Sequence, residues 1–263
     1  MPEQFSVVGQ RLPRLDGPAK ATGQAVFATD MVLPRMLQGK ILRSPHPHAR
    51  ILSIDASRAE SLPGVKAVVT SKDTIGRKYN VLRFKESFAD EYPLAMDKVR
   101  FIGDPVAAVA AVDEDTALQA LGLIRVDYEV LPPVFDPEEA LKPGAPQIHE
   151  HAPDNVSRKI KLVLGDVDNL MASAFHSRED TFTTQTQCHV PLEGHVCVAS
   201  YDPSGQLTVW TSTQIPYLIK NDLALTLGLS EGQVRVILPY VGGGFGGKGD
   251  GMGAPDFCAS LLS

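Results

Sequence analysis

Leu207-Thr-Val-Trp-Thr-Ser-Thr-Gln214, and further on Gln233-Val-Arg-Val-Ile-Leu238 running into Val241-Gly-Gly-Gly-Phe-Gly-Gly-Lys248, decide how this chain reads. Leu207, Val209 and Thr211 alternate with Thr208, Trp210 and Ser212, the period of a strand. Ser212 and Thr213 are helix-capping types, and Pro216 stands where a first-turn proline is tolerated. A helix to about Leu227, stopped by Gly228, leads into a second alternating strand from Gln233 to Leu238. A crossover of that length suits parallel strands. Gln214 and the glycine loop then both lie just past strand carboxyl ends, where open α/β sheets bind ligands. An amide side chain and a row of backbone N–H groups facing one crevice suit an oxygen-rich, anionic ligand.

Generic glycine motifs fail here. Gly242, Gly244 and Gly247 satisfy G-x-G-x-x-G, but a dinucleotide fingerprint needs a helix at once and an acidic residue about twenty positions on. Gly249, Gly251, Gly253 and Pro255 delay any helix, which is expected only over Asp256–Leu262. A P-loop needs Ser or Thr after Lys248 to hold magnesium, and Gly249 stands there. A tight turn would explain one or two glycines. Five in six residues around Phe245 imply a ligand, or another chain, pressed against the backbone.

Working outward, the N-terminal half repeats a strand–helix–strand pattern. Ile51–Ile54 precedes a short helix from Ala56 to Ser61, with Asp55 or Ser57 as cap and Pro63-Gly64 as stop, and Val65–Val69 follows. Val106–Val112 is a continuous apolar run, Asp113 is an N-cap, Glu114–Leu121 is helical with Gly122 as its stop, and Ile124–Val130 alternates. Short strands mixed with short helices indicate an α+β domain. Pro132-Pro133 and the proline-rich Asp136–Pro153 read as a linker. His46 and His48, like His149 and His151, are spaced to point to opposite faces of an extended segment, as hydrogen-bonded loop residues rather than metal ligands.

The 263 residues, with 25 Lys+Arg against 31 Asp+Glu and a net charge of −6, suffice for a real core and lack the basic stripe of a nucleic-acid surface. Cys188, Cys197 and Cys258 contain no CxxC pair, and their odd number points to buried free thiols in a reducing compartment. MPEQFSVVGQRLPR lacks a signal-peptide pattern, and no apolar run reaches the length of a membrane span. The expected location is the cytoplasm.

Val241–Lys248 preceded by Trp210-Thr-Ser-Thr-Gln214 resembles the molybdopterin-binding signature of the xanthine dehydrogenase/aldehyde oxidase family. Asp16-Gly-Pro-Ala-Lys-Ala-Thr-Gly23, Leu42-Arg-Ser-Pro-His46, Val99-Arg-Phe-Ile-Gly-Asp-Pro-Val-Ala-Ala108, Val126-Asp-Tyr-Glu-Val-Leu-Pro132 and Pro191-Leu-Glu193 agree in family order. The resemblance spans nearly the whole chain. Glu91-Tyr-Pro-Leu-Ala95 and Asp97-Lys-Val-Arg100 look most like the 4-hydroxybenzoyl-CoA reductase large subunit.

The resemblance implies an α/β-hammerhead domain over 1–135, a linker over 136–154, and the first, incomplete portion of a molybdenum-cofactor domain over 155–263. It implies an oxidoreductase acting on an aromatic, heteroaromatic or aldehyde substrate, an aromatic acyl-CoA in the reductase branch. Gln214 would hydrogen-bond an oxo ligand, and Gly243, Gly244, Phe245 and Gly246 would form the loop beside the cofactor. The Phe245 ring would border the substrate in the catalytic site. The metal would be held by the pterin dithiolene, with no protein ligand, and the cofactor would be molybdopterin or its cytosine dinucleotide form. Iron–sulfur and FAD subunits would accept the electrons. Family large subunits continue well beyond residue 263, so either the chain is a fragment of such a subunit or a further polypeptide would complete the site and supply the general base. The alternative is an inactive remnant or assembly module that keeps the hammerhead. Many family members carry a glutamate where this chain has Gly249, which argues against a purine substrate.

Overall fold

The computed structural model describes residues 5–80, 89–249 and 253–263. Met1–Gln4, which open the segment read as lacking a signal peptide, and Gly251, one of the helix-delaying glycines, lie outside the described residues.

The elements, in chain order, are α1 (Gly17–Ala21), β1 (Gln38–Arg43), β2 (Ala49–Asp55), α2 (Ser57–Glu60), β3 (Val65–Thr70), β4 (Lys98–Val99), β5 (Pro105–Ala111), α3 (Glu114–Leu123), β6 (Arg125–Val130), α4 (Pro137–Ala140), α5 (Val167–Ala172), β7 (Cys197–Tyr201), β8 (Leu207–Thr211), α6 (Pro216–Leu227), β9 (Val234–Ile237) and α7 (Ala254–Leu262). They build three sheets of three strands, ordered β1-β5-β3, β4-β2-β6 and β7-β8-β9.

β5 is the spine of the N-terminal half. Every residue of it is buried, and it pairs antiparallel with β1 on one edge and β3 on the other. Ala107 and Val109 pack with Ala56, Ala59 and Ala120 of the two helix segments on one face. Ala108, on the opposite face, packs with Val69, Leu94 and Cys258, so α7 from the far end of the chain covers it. The alanine-rich strand carries no bulk that would hold these helices off. β6, alternately half-buried and exposed, pairs with β2 in the second sheet instead.

In the C-terminal half, β7 pairs antiparallel with β8 and β9 pairs parallel on its other edge, from Leu207 opposite Val234 to Trp210 opposite Ile237. Leu207 and Val209 point into a core with Ile219, Leu223, Val234 and Phe257. Gly228, at φ 71°, ends α6 in the left-handed conformation that glycine takes without strain. Two further contacts tie the halves together. Phe257 stacks on Tyr79 at 4.4 Å, and the Tyr240 N–H donates to the Val26 carbonyl at 3.2 Å beside a parallel bridge between Phe27 and Tyr240.

The strand–helix–strand readings stand, with local corrections. α3 runs through Gly122 to Leu123, because the backbone stays helical until Ile124 becomes extended; a mid-helix glycine costs about 1 kcal/mol without forcing a stop. Neither Ser212 nor Thr213 is the cap of α6. That residue is Ile215, whose N–H is met by the Thr213 hydroxyl at 3.1 Å. α7 starts at Ala254 rather than Asp256, with Pro255 in its first turn. His149 and His151 do not point apart, because the chain turns there and the rings meet edge-to-face at 5.5 Å. His48 is hydrogen-bonded, though not within its own loop: Nδ1 lies 2.8 Å from the carbonyl of Pro132, just past β6. All three cysteines are unbridged, but Cys188 is exposed rather than buried, since it sits in an irregular stretch that packs on little.

Asp136 caps α4 by accepting from the N–H groups of Glu138 and Glu139. Asn155 then staples the proline-rich stretch, its side chain bonding Ala140, Pro146 and Ile148. Glu150 in the same stretch pairs with Lys98 at 2.7 Å and Arg100 at 2.9 Å. No helix among the described residues is long and apolar enough to cross a membrane.

Candidate functional site

The parallel pairing of β8 and β9 carries both strands to the same edge of the sheet, so Gln214 and the Gly242–Lys248 loop meet. The Gln214 N–H donates to the Lys248 carbonyl at 2.8 Å, and the Thr213 hydroxyl reaches the same oxygen at 3.2 Å. At the other end of its side chain, Gln214 Oε1 accepts the Gly246 N–H at 3.0 Å. That bond fixes which amide atom is which, and the NH2 group has no acceptor among the described residues.

Two short turns shape the loop, Gly247 N–H to the Gly244 carbonyl and Gly249 N–H to the Gly246 carbonyl, both 2.8 Å. Gly243 and Gly246 have φ of 99° and 93°. Phe245 between them also has positive φ, 53°, a costly backbone state for a bulky residue, and its ring is 73% exposed. A ring held out into solvent by a strained backbone is unusual in a mere turn.

The remaining glycines answer to this chain's own side chains. A Cβ on Gly242 would lie 2.5 Å from Glu193 Cβ, one on Gly244 would lie 2.5 Å from Gln214 Oε1, and one on Gly247 would lie 2.9 Å from the His189 ring. The count of five glycines therefore does not by itself require a ligand. Close approach by residues 189–193 and by Gln214 accounts for three of them, and backbone conformation accounts for the other two. The case for a ligand rests instead on the donors. The N–H groups of Gly243, Gly244 and Phe245 have no protein acceptor among the described residues. With the Gln214 NH2 they form a neutral donor set, suited to the oxygens of a bulky anion. A molybdopterin cofactor has that character, so the residues present fit the group that the sequence implies.

Beneath the loop lies an ion pair that sequence reasoning missed. Lys248 Nζ, fully buried, sits 3.0 Å from Glu193 Oε2 and 2.5 Å from Ser212 Oγ. The same carboxylate oxygen accepts from Ser212 Oγ at 2.6 Å and from the Gly242 N–H at 2.7 Å. Burial resists ionisation of Glu193, but the Ser212 hydroxyl, the Gly242 N–H and the Lys248 ammonium outweigh it and hold the carboxyl below the usual glutamate range. The pKa of His195 nearby is lowered too, by burial and then by the charges of Lys248 and Arg43, which for an imidazole favours the neutral ring.

The Glu91–Arg100 stretch, which carried the narrower reductase resemblance, contributes to the packing of the N-terminal half. Leu94, Ala95 and Val99 are buried, and the Arg100 N–H holds the Asp104 carboxylate at 3.0 Å.

A family model described as aldehyde oxidase and xanthine dehydrogenase, a/b hammerhead domain, matches residues 22–132, and one described as molybdopterin cofactor-binding domain matches residues 148–263. The chain is 38% identical over 261 residues to the nicotinate dehydrogenase large molybdopterin subunit of Eubacterium barkeri, covering 99% of this chain and 60% of that one. It is 37% identical over 262 residues to the carbon monoxide dehydrogenase large chain of Afipia carboxidovorans, covering 94% of this chain and 32% of that one. Among solved structures, quinoline 2-oxidoreductase from Pseudomonas putida 86 superposes with a TM-score of 0.83 at 30% identity, covering 97% of this chain and 33% of that one. This chain thus spans between about a third and three-fifths of the curated relatives quoted.

Proposed function

The chain belongs to the xanthine dehydrogenase/aldehyde oxidase family, where it corresponds to the N-terminal part of a molybdenum-binding large subunit, and on that premise we propose that it forms one wall of the active site of a molybdenum hydroxylase-type oxidoreductase. The observation that carries this reading is the Gln214 amide. Its oxygen is already spent on the Gly246 N–H, which leaves its NH2 as a donor without a partner among the described residues, beside three unmatched loop amides.

In this reading the molybdenum cofactor, when bound, supplies the two-electron redox chemistry. Gln214 donates through its NH2 to an oxygen of that group. The N–H groups of Gly243, Gly244 and Phe245 line the same wall and exclude water from it once the group is seated. The exposed Phe245 ring borders the space where an aromatic, heteroaromatic or aldehyde substrate stacks; an aromatic acyl-CoA remains within that class. Residues 1–135 form the hammerhead, 136–154 the linker and 155–263 the cofactor-binding portion. The cytosine dinucleotide form of the cofactor, iron–sulfur and FAD subunits as electron acceptors, a polypeptide supplying the general base, and a cytoplasmic location belong to the same proposal.

Gly246→Ala in the purified enzyme tests it. The new Cβ has room in the protein, its nearest neighbour being His189 Nε2 at 3.7 Å, but φ 93° strains any L-residue by about 1 kcal/mol or somewhat more. The expected result is a modest fall in melting temperature with a disproportionate fall in molybdenum per protein or in turnover. A purely thermal defect, with molybdenum content and turnover per molybdenum unchanged, overturns the reading and favours an assembly module.

A further inference from the structure

The Glu193 carboxylate, some fifty residues earlier in the chain, touches the glycine loop at both of its ends. At one it meets the N–H of Gly242, the first residue of the loop; at the other it meets the ammonium of Lys248, its last. A third partner, the Ser212 hydroxyl, belongs to the segment that leads from β8 to Gln214. A single oxygen therefore holds both ends of the loop and the base of Gln214 at once.

Lys248 completes the arrangement from its own backbone. Its carbonyl accepts the Gln214 N–H and the Thr213 hydroxyl, so the residue that the carboxylate secures also sets the height of Gln214. Among the described residues, the loop between the two ends is held by two short turns and the Gln214 amide. A glycine-rich segment has more conformations to lose than any other, so without an anchor its donors would not stay aligned.

We propose that Glu193 is the positioning residue of this site: its carboxylate acts as a drawstring, closing the glycine loop by its two ends and setting Gln214 against it. The proposal rests on the reading of the loop as a cofactor wall. The geometry of the drawstring itself does not depend on which anion is bound. A buried ion pair is weak evidence of stabilisation, because an apolar pair of similar volume often serves as well. The distinctive feature is the acceptor that the carboxylate offers to the loop, and that can be separated from its charge.

Two double variants of the full enzyme make the separation. Glu193→Met with Lys248→Met removes the acceptor and both charges while filling the volume. Glu193→Gln with Lys248→Met removes the charges but leaves an amide oxygen for Gly242 N–H and Ser212. Hydrogen exchange of the peptide covering the loop, melting temperature and molybdenum per protein are read together. The first variant is expected to melt close to the parent, exchange its loop about tenfold faster or more, and lose molybdenum. The second is expected to retain most of the loop protection and most of the metal. Equal behaviour of the two variants, or loop exchange unchanged in the first, overturns the drawstring. Should the Met/Met variant fail to fold, the Gln variant decides alone: loop protection lost in a folded protein refutes the proposal. An unaltered enzyme that contains no molybdenum would refute the cofactor reading, and the exchange measurement would still judge the drawstring.

Discussion

Strand, helix, strand is written three times in this chain, with two outcomes. β2–α2–β3 and β5–α3–β6 each start in one sheet and finish in another, whereas β8–α6–β9 returns to the sheet it left, parallel to its first strand. Length is part of the reason. The four-residue α2 is too short to carry a chain back across a sheet face, and the twelve-residue α6 is not. Available edges are the rest. Both edges of β5 are taken, by β1 and β3, so β6 must find β2, while β8 has only β7 beside it and an edge left for β9. Only a parallel return places two strand carboxyl ends side by side. The candidate site occurs in the one unit of the three that achieves this, and the corresponding position after β5 holds a plain helix cap, Asp113 bonded to the Thr116 N–H at 2.7 Å.

The sharpest way to break the contrast is Lys248→Met alone. It strands the Glu193 carboxylate in the interior, and the expected loss is about 3–5 kcal/mol of unfolding free energy, measured by denaturant titration. A loss under 1 kcal/mol would mean that water reaches Glu193 and that the pair is not a buried one.

Asp256 offers a second, smaller effect of opposite origin. It is buried on α7 without a cation; burial raises its pKa to about 6 against the hydrogen bonds of Thr211 and Cys197, and its Oδ1 has no partner. A carboxyl raised on folding favours the folded state when protonated. Stability is therefore highest below the unfolded value near 4, declines as pH rises toward 6, and stays lower above it. The penalty at neutral pH is at most about 3 kcal/mol. Asp256→Asn should flatten the dependence of melting temperature on pH between 4 and 6; an unchanged slope assigns the titration elsewhere.

In the N-terminal half, Gly122 contrasts with the loop glycines. Its backbone is helical and nothing lies within 4 Å of its missing Cβ, so Gly122→Ala should stabilise by about 0.5–1 kcal/mol and leave molybdenum content alone. A lower melting temperature would refute that account. The smallest effect belongs to Glu150. Burial opposes its ionisation, but Lys98 and Arg100 prevail and draw its pKa down to about 2. Its contribution is present above the ordinary value near 4.5 and is lost as pH falls toward 2. Because the carboxylate is well exposed, solvent screening limits that contribution to about 0.2–1 kcal/mol, read as a small acid-side difference between parent and Glu150→Gln.

These contrasts mark what could be read without coordinates. Alternation at Leu207–Thr211 and an uninterrupted apolar run at Val106–Val112 are local signals, and both mark strands, the second ending one residue earlier than the run. β1, over Gln38–Arg43, has no such period and was missed; its place is set by pairing with β5. The loop and Gln214 were legible because glycine clusters and a polar residue after a strand are themselves unusual. Glu193 was not, beyond its membership of the Pro191-Leu-Glu193 phrase, because its partner Lys248 lies 55 residues away and nothing local marks the pair. The glycines misled in one respect: from sequence they looked like space for a ligand, whereas Gly242, Gly244 and Gly247 leave room for Glu193, Gln214 and His189.

The bond from Tyr240 to Val26, beside the bridge to Phe27, gives the molecule a calendar. On the ribosome Phe27 emerges long before Tyr240 has been made, so the amino-terminal arm must wait, unpaired, until nearly all of this chain has followed it. Tyr240 stands just ahead of Gly242. The arm's last backbone pairing and the glycine loop therefore both wait for the same late stretch of chain.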